Sequence, residues 1–365
     1  MKAAVIHTAP DTHLDHLVPL AAEMQLPFIV SDSHSLDLVE HCYPKMEVSL
    51  LDPYDLSLSF IADSFDLIFQ TGRFWAVQIV PQIELLTGKR LLVVFCPHGN
   101  SDKKYSVDPS HYLVWQQIAL LYGEQMRDLL QATGGYSKIA HPLFTGNFRY
   151  QFYRKHQQFY DQLFNSMLPS SFDTALPTLL YAPTWDDEEN PSSFFENTLP
   201  LIKEVSAEWN VIVKPHPFLK ERRPAMAFYI QAECEATERV FFLDDFPPVY
   251  PVLARSDAYL GDYSSVGYDF LAFDRTMLFL NPGKLDPTTC LGARLHCCGE
   301  AVPPLKQGEW LPFLRQAHQT SSRFAPIRQE TYRYAFGEER CPLALKQQIF
   351  ATARHLQAQQ SAIHY

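Results

Sequence analysis

The sequence predicts an α/β protein of two domains, each built on a parallel sheet, and three observations carry that expectation. Short uninterrupted apolar runs, of which Arg90–Phe95 (Arg-Leu-Leu-Val-Val-Phe) is the most strand-like, are the pattern of strands covered on both faces. Between them lie segments with the apolar spacing of amphipathic helices, the alternation that layers helices over a parallel sheet. The same rhythm fills both halves of 365 residues, a length beyond the usual size of one core. Hydrophobic content of 47% and aromatic content of 13% are those of a folded globular chain.

The elements follow in order. Ala3–Ile6 is expected as the first strand, His13–Met24 as a helix with Leu14, Leu17, Leu20 and Ala21 inward, and Pro27–Val30 and Asp66–Phe69 as further strands. No G-x-G-x-x-G follows the first strand, so the ordinary dinucleotide fingerprint is absent. From Phe148 to Met167 the chain is helical, and its aromatic residues are spaced for packing; Pro169-Ser170-Ser171 ends the pattern. The domains are therefore placed at 1–147 and 178–335, with a connector at 148–177 and a closing helix at 336–365. In the second domain, strands are expected at Thr178–Ala182, Asn210–Val213, Val240–Leu243, Asp257–Leu260 and Thr276–Leu280. Helices are expected at Phe194–Trp209, Pro247–Arg255, Glu309–Thr320 and Pro342–Gln359, and Asp186–Pro191 as a mobile surface loop.

Composition narrows the function. A net charge of −11 argues against general nucleic-acid binding, so any anion site must be local. No stretch reaches the roughly 18 to 20 apolar residues of a membrane span, and the apolar start is too short for a signal peptide. Seven scattered cysteines read as reduced, mostly buried thiols, and a cytoplasmic protein is expected.

Three tips carry the chemistry. Gly261-Asp262-Tyr263-Ser264-Ser265-Val266-Gly267-Tyr268-Asp269 turns from strand to helix and offers backbone N–H groups and two hydroxyls at a helix start. That arrangement suits a phosphate, although Ser264 or Ser265 as a plain N-cap accounts for the same residues. Lys214-Pro215-His216-Pro217 ends a buried strand, its prolines fixing a cation and an imidazole in an extended tip; a strand end with both side chains solvated is the other reading. Cys96-Pro97-His98-Gly99 with Lys103 and Lys104 follows the Arg90–Phe95 strand, where open parallel sheets bind ligands; a turn with a solvated imidazole is the other reading. His13 and His16, close after the first strand, are weaker candidates for the same side, since a solvated helix end explains them too.

Taken together, Tyr181-Ala182-Pro183-Thr184-Trp185, Val213-Lys214-Pro215-His216-Pro217 and Asp262-Tyr263-Ser264-Ser265-Val266 with Asp269 resemble the CDP-glycerol glycerophosphotransferases of teichoic-acid synthesis. His98-Gly99 with Lys103 is similar to that family's first-domain His-Gly loop, and Thr145-Gly146-Asn147 with Arg149 to its Thr-Gly-x-x-Arg connector. The resemblance implies a GT-B-like fold, two Rossmann-like domains facing across a cleft, with an N-terminal acceptor domain and a C-terminal donor-nucleotide domain. It implies transfer of an alcohol phosphate from a CDP-alcohol, CDP-glycerol first, to a hydroxyl of a polymer or lipid-linked glycan, with no metal and no other cofactor. Under it, His98 and His216 are catalytic candidates, and Lys214, Asp262, Ser264, Ser265, Thr184 and Asp269 donor or phosphate ligands. Asp262 is expected to orient its loop, and Asp269 to serve structure ahead of the ribose. Lys103, His13 and His16 fall on the acceptor side, and a peripheral membrane contact through the first domain stays open. The chain departs from the family with Pro97 and Asn100 around His98-Gly99 and with Asp186 where an arginine usually follows Pro-Thr-Trp. Two rivals stand beside this reading: a nucleotide-sugar glycosyltransferase or epimerase of the same fold, and a catalytically degenerate binding protein.

Overall fold

A computed structural model of the chain describes residues 1–52, 57–72, 74–102, 117–186 and 191–363. Lys103 and Lys104, and residues 187–190 of the expected surface loop, lie outside the described residues. The chain forms two compact units. One comprises Met1–Asn100, Lys104–His156 and Tyr334–Tyr365; the other comprises Gln157–Arg333 together with Ser101–Lys103.

The first unit holds seven strands, β1 (Ala3–His7), β2 (Phe28–Val30), β3 (Val48–Leu50), β4 (Leu67–Gln70), β5 (Leu92–Phe95), β6 (Ile118–Leu121) and β7 (His141–Phe144). Their order is β3-β2-β1-β4-β5-β6-β7, and every pairing is parallel. The first crossover runs outward from β1 and the later ones return past it, so the order reverses between β1 and β4. Ligands bind at such a switch point in open α/β sheets, beyond the carboxyl ends of the strands. Ala4, Ile6, Ile68 and Val93 bury one face of the sheet against Ile61 and Ile83 of neighbouring helices.

The second unit repeats the plan with β8 (Thr178–Tyr181), β9 (Asn210–Val213), β10 (Val240–Phe242), β11 (Ala258–Gly261), β12 (Thr276–Phe279) and β13 (Glu300–Ala301). The order β10-β9-β8-β11-β12-β13, again all parallel, places its switch point between β8 and β11. Leu179, Val211, Val213 and Leu260 pack with Leu201 and Ile202 of the helix Phe194–Val205. Parallel strands covered on both faces are the fold class that the apolar runs predict.

Between the units the helical stretch divides. The helix Phe148–Lys155 belongs to the first unit and Gln157–Met167 to the second. The last helix, Pro342–Ile363, returns to the first unit, with Leu345, Ile349 and Ala353 buried along one face. All seven cysteines are free thiols, and no helix of the described residues is long and apolar enough to cross a membrane.

Candidate active site

The three second-unit motifs leave the sheet at the same end, because β8, β9 and β11 are parallel neighbours with β8 between the other two. Their tips are tied to one another. Asp262, with its carboxylate fully buried, accepts from the Thr184 amide at 2.8 Å, the Ser193 amide at 3.0 Å and the Ser193 hydroxyl at 2.7 Å. One carboxylate thus holds the ends of β8 and β11 and the entry to the helix Phe194–Val205. Its donors include two backbone N–H groups that would otherwise be orphaned in the interior. Lys214 is secured at the other side of β8: its amide donates to Tyr181 O at 2.9 Å, and its Nζ donates to Phe246 O at 3.1 Å. His216 caps the helix Pro217–Arg222, its Nδ1 accepting from the Phe218 amide at 3.2 Å. That bond fixes the proton on Nε2 in the neutral ring. The Trp185 ring lies 6.0 Å from the His216 ring, with the Arg222 guanidinium 4.4 Å over its centroid.

The turn after β11 differs from the expectation in one respect. Val266–Phe270 is α-helical for five residues only and passes into a 3-10 turn at Leu271–Phe273. So short a helix has little macrodipole, and any anion affinity at Ser264 and Ser265 rests on N–H groups and hydroxyls near the turn. The Ser265 side chain makes no cap bond, while the Val266 amide lies 3.4 Å from Ser264 Oγ. Gly261 and Gly267 are demanded by crowding, since a Cβ would come within 2.0 Å of the Tyr259 hydroxyl at the first and 2.7 Å of Leu295 at the second. Asp269 is buried and accepts from the Tyr250 hydroxyl at 3.0 Å, a bond internal to the unit.

His296 is a member of this region that no local sequence signal marks. Its ring stacks between Tyr263 and Phe279, with centroids 5.2 Å and 4.7 Å away, and its Nε2 lies 2.8 Å from Asp262 O. Burial holds its pKa below the ordinary range, so at neutral pH it is an uncharged N–H donor supporting the Asp262 backbone. Asp102 is likewise enclosed, accepting from the Tyr268 hydroxyl at 2.5 Å and the Leu295 amide at 3.1 Å.

In the first unit, His98 and His13 are brought together. Their rings stack with centroids 4.1 Å apart and planes at 18°. His98 is half-buried as a residue, and the burial of its ring pushes its pKa down to about 4. His16 is buried, with Nδ1 2.6 Å from the Tyr122 hydroxyl. Burial first, then the charges of Arg149, His98 and His13, hold it well below the ordinary imidazole range. The Thr-Gly-x-x-Arg segment explains that charge. Gly146 turns with φ of +67°, Asn147 Oδ1 caps the next helix by accepting from the Tyr150 amide at 3.1 Å, and Arg149 forms a buried ion pair with Asp15. Among the described residues, no group of three His, Cys, Asp or Glu side chains is placed to hold a metal ion.

Two units of this topology, with motif-bearing tips at strand carboxyl ends, define a GT-B type of α/β protein, the class to which nucleotide-dependent transferases and epimerases belong. Residues 136–284 match the model of the family described as CDP-Glycerol:Poly(glycerophosphate) glycerophosphotransferase. This is the family that the motifs resemble, and the matched stretch holds all three second-unit motifs. Among solved structures, the wall teichoic acid polymerase TagF is similar with a TM-score of 0.65 at 13% identity, over 97% of this chain and 89% of that one. TagF in a variant soaked with CDPG gives 0.66 at 12% identity, over 97% and 90%. UDP-GlcNAc 2-epimerase from Neisseria meningitidis, bound to UDP-GlcNAc, gives 0.54 at 13% identity, over 96% and 99%. At such identities these likenesses speak for the fold alone. No curated protein sequence matches the chain.

Proposed function

We propose that the chain transfers glycerol phosphate from CDP-glycerol to a hydroxyl of a cell-surface polymer or lipid-linked glycan, forming a phosphodiester and releasing CMP. The observation that carries this reading is the gathering of Pro183-Thr184-Trp185, Lys214-Pro215-His216-Pro217 and Asp262-Tyr263-Ser264-Ser265 at one end of the second sheet, within the family-matched stretch. A pyrophosphate needs cations and N–H donors on a fixed frame. Lys214 and His216 supply charge and an imidazole, Ser264 and Ser265 supply hydroxyls and amides, and Thr184, Asp262 and Asp269 act mainly by holding the frame.

In the reaction, the acceptor oxygen attacks the β-phosphorus of the donor while its proton passes to His98. The new O–P bond forms as the bond from that phosphorus to the bridging oxygen breaks, and CMP leaves with the electron pair. A base must be unprotonated to take the proton, and burial keeps His98 neutral at pH 7. A cytoplasmic enzyme acting on such an acceptor would meet it at the inner face of a membrane, by peripheral contact.

The test is CMP release from CDP-glycerol with a short glycerol-phosphate acceptor, measured by chromatography. Turnover is expected in the unaltered protein, and loss of turnover with donor binding retained in His98→Ala. Consumption of a UDP-sugar with CDP-glycerol left intact would replace this reading by the nucleotide-sugar one.

A further inference from the structure

The first unit gathers more imidazole than a single base requires. His13 follows β1, Thr71 follows β4 and His98 follows β5, so all three stand at the carboxyl side of the switch point. Thr71, 1% exposed, serves both rings: its hydroxyl lies 2.8 Å from His13 Nδ1, and its backbone hydrogen-bonds His98. A β-branched threonine is restricted at χ1, and burial limits it further, so this clip has little freedom. The rings it holds are nearly parallel and in face-to-face contact.

We propose that His13 is a positioning residue for His98: it covers one face of the ring and, with Thr71, fixes its plane, so that the stacked pair does not hold two protons together. The proposal rests on the reading of His98 as the base. Like charges at such a separation oppose each other, and interacting sites titrate as a pair. The groups around the pair sharpen the effect. From the helix Leu14–Met24 comes His16, hydrogen-bonded to Tyr122, and Asp15, already paired with Arg149. On the turn that carries His13, Asp11 accepts from Ser35 at 2.9 Å and faces His7 and His34 at 3.7 and 3.5 Å. The acidic groups near the pair therefore have other partners, and Arg149 adds positive charge behind His16. A base so placed stays neutral and presents one edge to an incoming hydroxyl.

Histidine-selective NMR titration of the whole protein, compared for the unaltered chain, His13→Phe and His13→Ala, tests this without a substrate. The unaltered protein is expected to show coupled titration at both rings. In His13→Phe, which keeps an uncharged aromatic face, His98 should titrate in a single step displaced to higher pH. A His98 curve that superposes on the unaltered one in His13→Phe overturns the proposal. In turnover, His13→Ala should lower kcat at least about tenfold, within the range of general-base effects, with KM for CDP-glycerol changed less than about twofold. His13→Phe should recover much of kcat and move the acid limb of the pH profile. Unchanged kcat and pH profile in His13→Ala overturn it as well. If the unaltered protein does not turn over CDP-glycerol, the functional reading fails, and the titration alone decides the pairing.

Discussion

Replacing Asp262 by asparagine separates a frame from a ligand. The buried carboxylate serves three donors, two on Ser193 and one on Thr184. An amide keeps one acceptor and turns an NH2 toward donors on the other side, so at least one backbone N–H loses its partner. A hydrogen bond to a charged group contributes about 1.5–3 kcal/mol, and a stranded buried donor costs about 1–3 kcal/mol. Together these come to about 2.5–6 kcal/mol. For a unit of about 180 residues, with a urea dependence of about 2–3 kcal/mol per M, the midpoint should fall by about 1–3 M. The fluorescence of Trp209 and Trp310, both buried in the same unit, reports it. An unchanged midpoint accompanied by a large loss of CDP-glycerol affinity would show that Asp262 touches the donor, and the frame argument would be refuted.

Two further outcomes follow from buried charge. Arg149→Met strands the Asp15 carboxylate in the interior and should cost about 3–5 kcal/mol in thermal or urea unfolding, most of it restored by Asp15→Leu in the same chain; a single variant as stable as the parent contradicts this. The depressed pKa values of His16, His98 and His296 mean that the unfolded chain binds more protons below its ordinary imidazole pKa of about 6.5. Their contribution is therefore complete above that pH and lost as the pH falls toward about 4, where His98 protonates in the fold. Urea midpoints at pH 7.5, 6 and 5 should decrease in that order, and a flat series speaks against it.

Where apolar runs were long and unbroken the sheets were legible. Leu92–Phe95, Asn210–Val213 and Ala258–Gly261 are buried throughout, so nothing competes with the strand pattern. Edge strands gave no such signal. Val48–Leu50 is largely exposed, His141–Phe144 carries Pro142 at the sheet edge, and Glu300–Ala301 has two residues. Ile118–Leu121 is apolar and buried, but four such residues read equally as part of a helix. The tips of the second unit could be read because prolines, glycines and hydroxyls cluster locally. The roles of Thr71, Asp102 and His296 could not, since each depends on a partner far along the chain: Thr71 meets His13 across 58 positions, and His296 meets Asp262 across 34. Ser193 left a weak trace, as one of two serines before an apolar helix, a common capping pattern.

The central claim is that the three tied tips of the second unit bind the pyrophosphate of an activated cytidine nucleotide. Calorimetric titration of CDP-glycerol, with UDP-GlcNAc as the contrasting ligand, tests it most directly. Saturable binding of CDP-glycerol alone is expected, weakened about 10- to 100-fold by Lys214→Ala, the worth of one charge-assisted contact. Saturable binding of UDP-GlcNAc with none of CDP-glycerol, or CDP-glycerol affinity indifferent to Lys214→Ala, would contradict it.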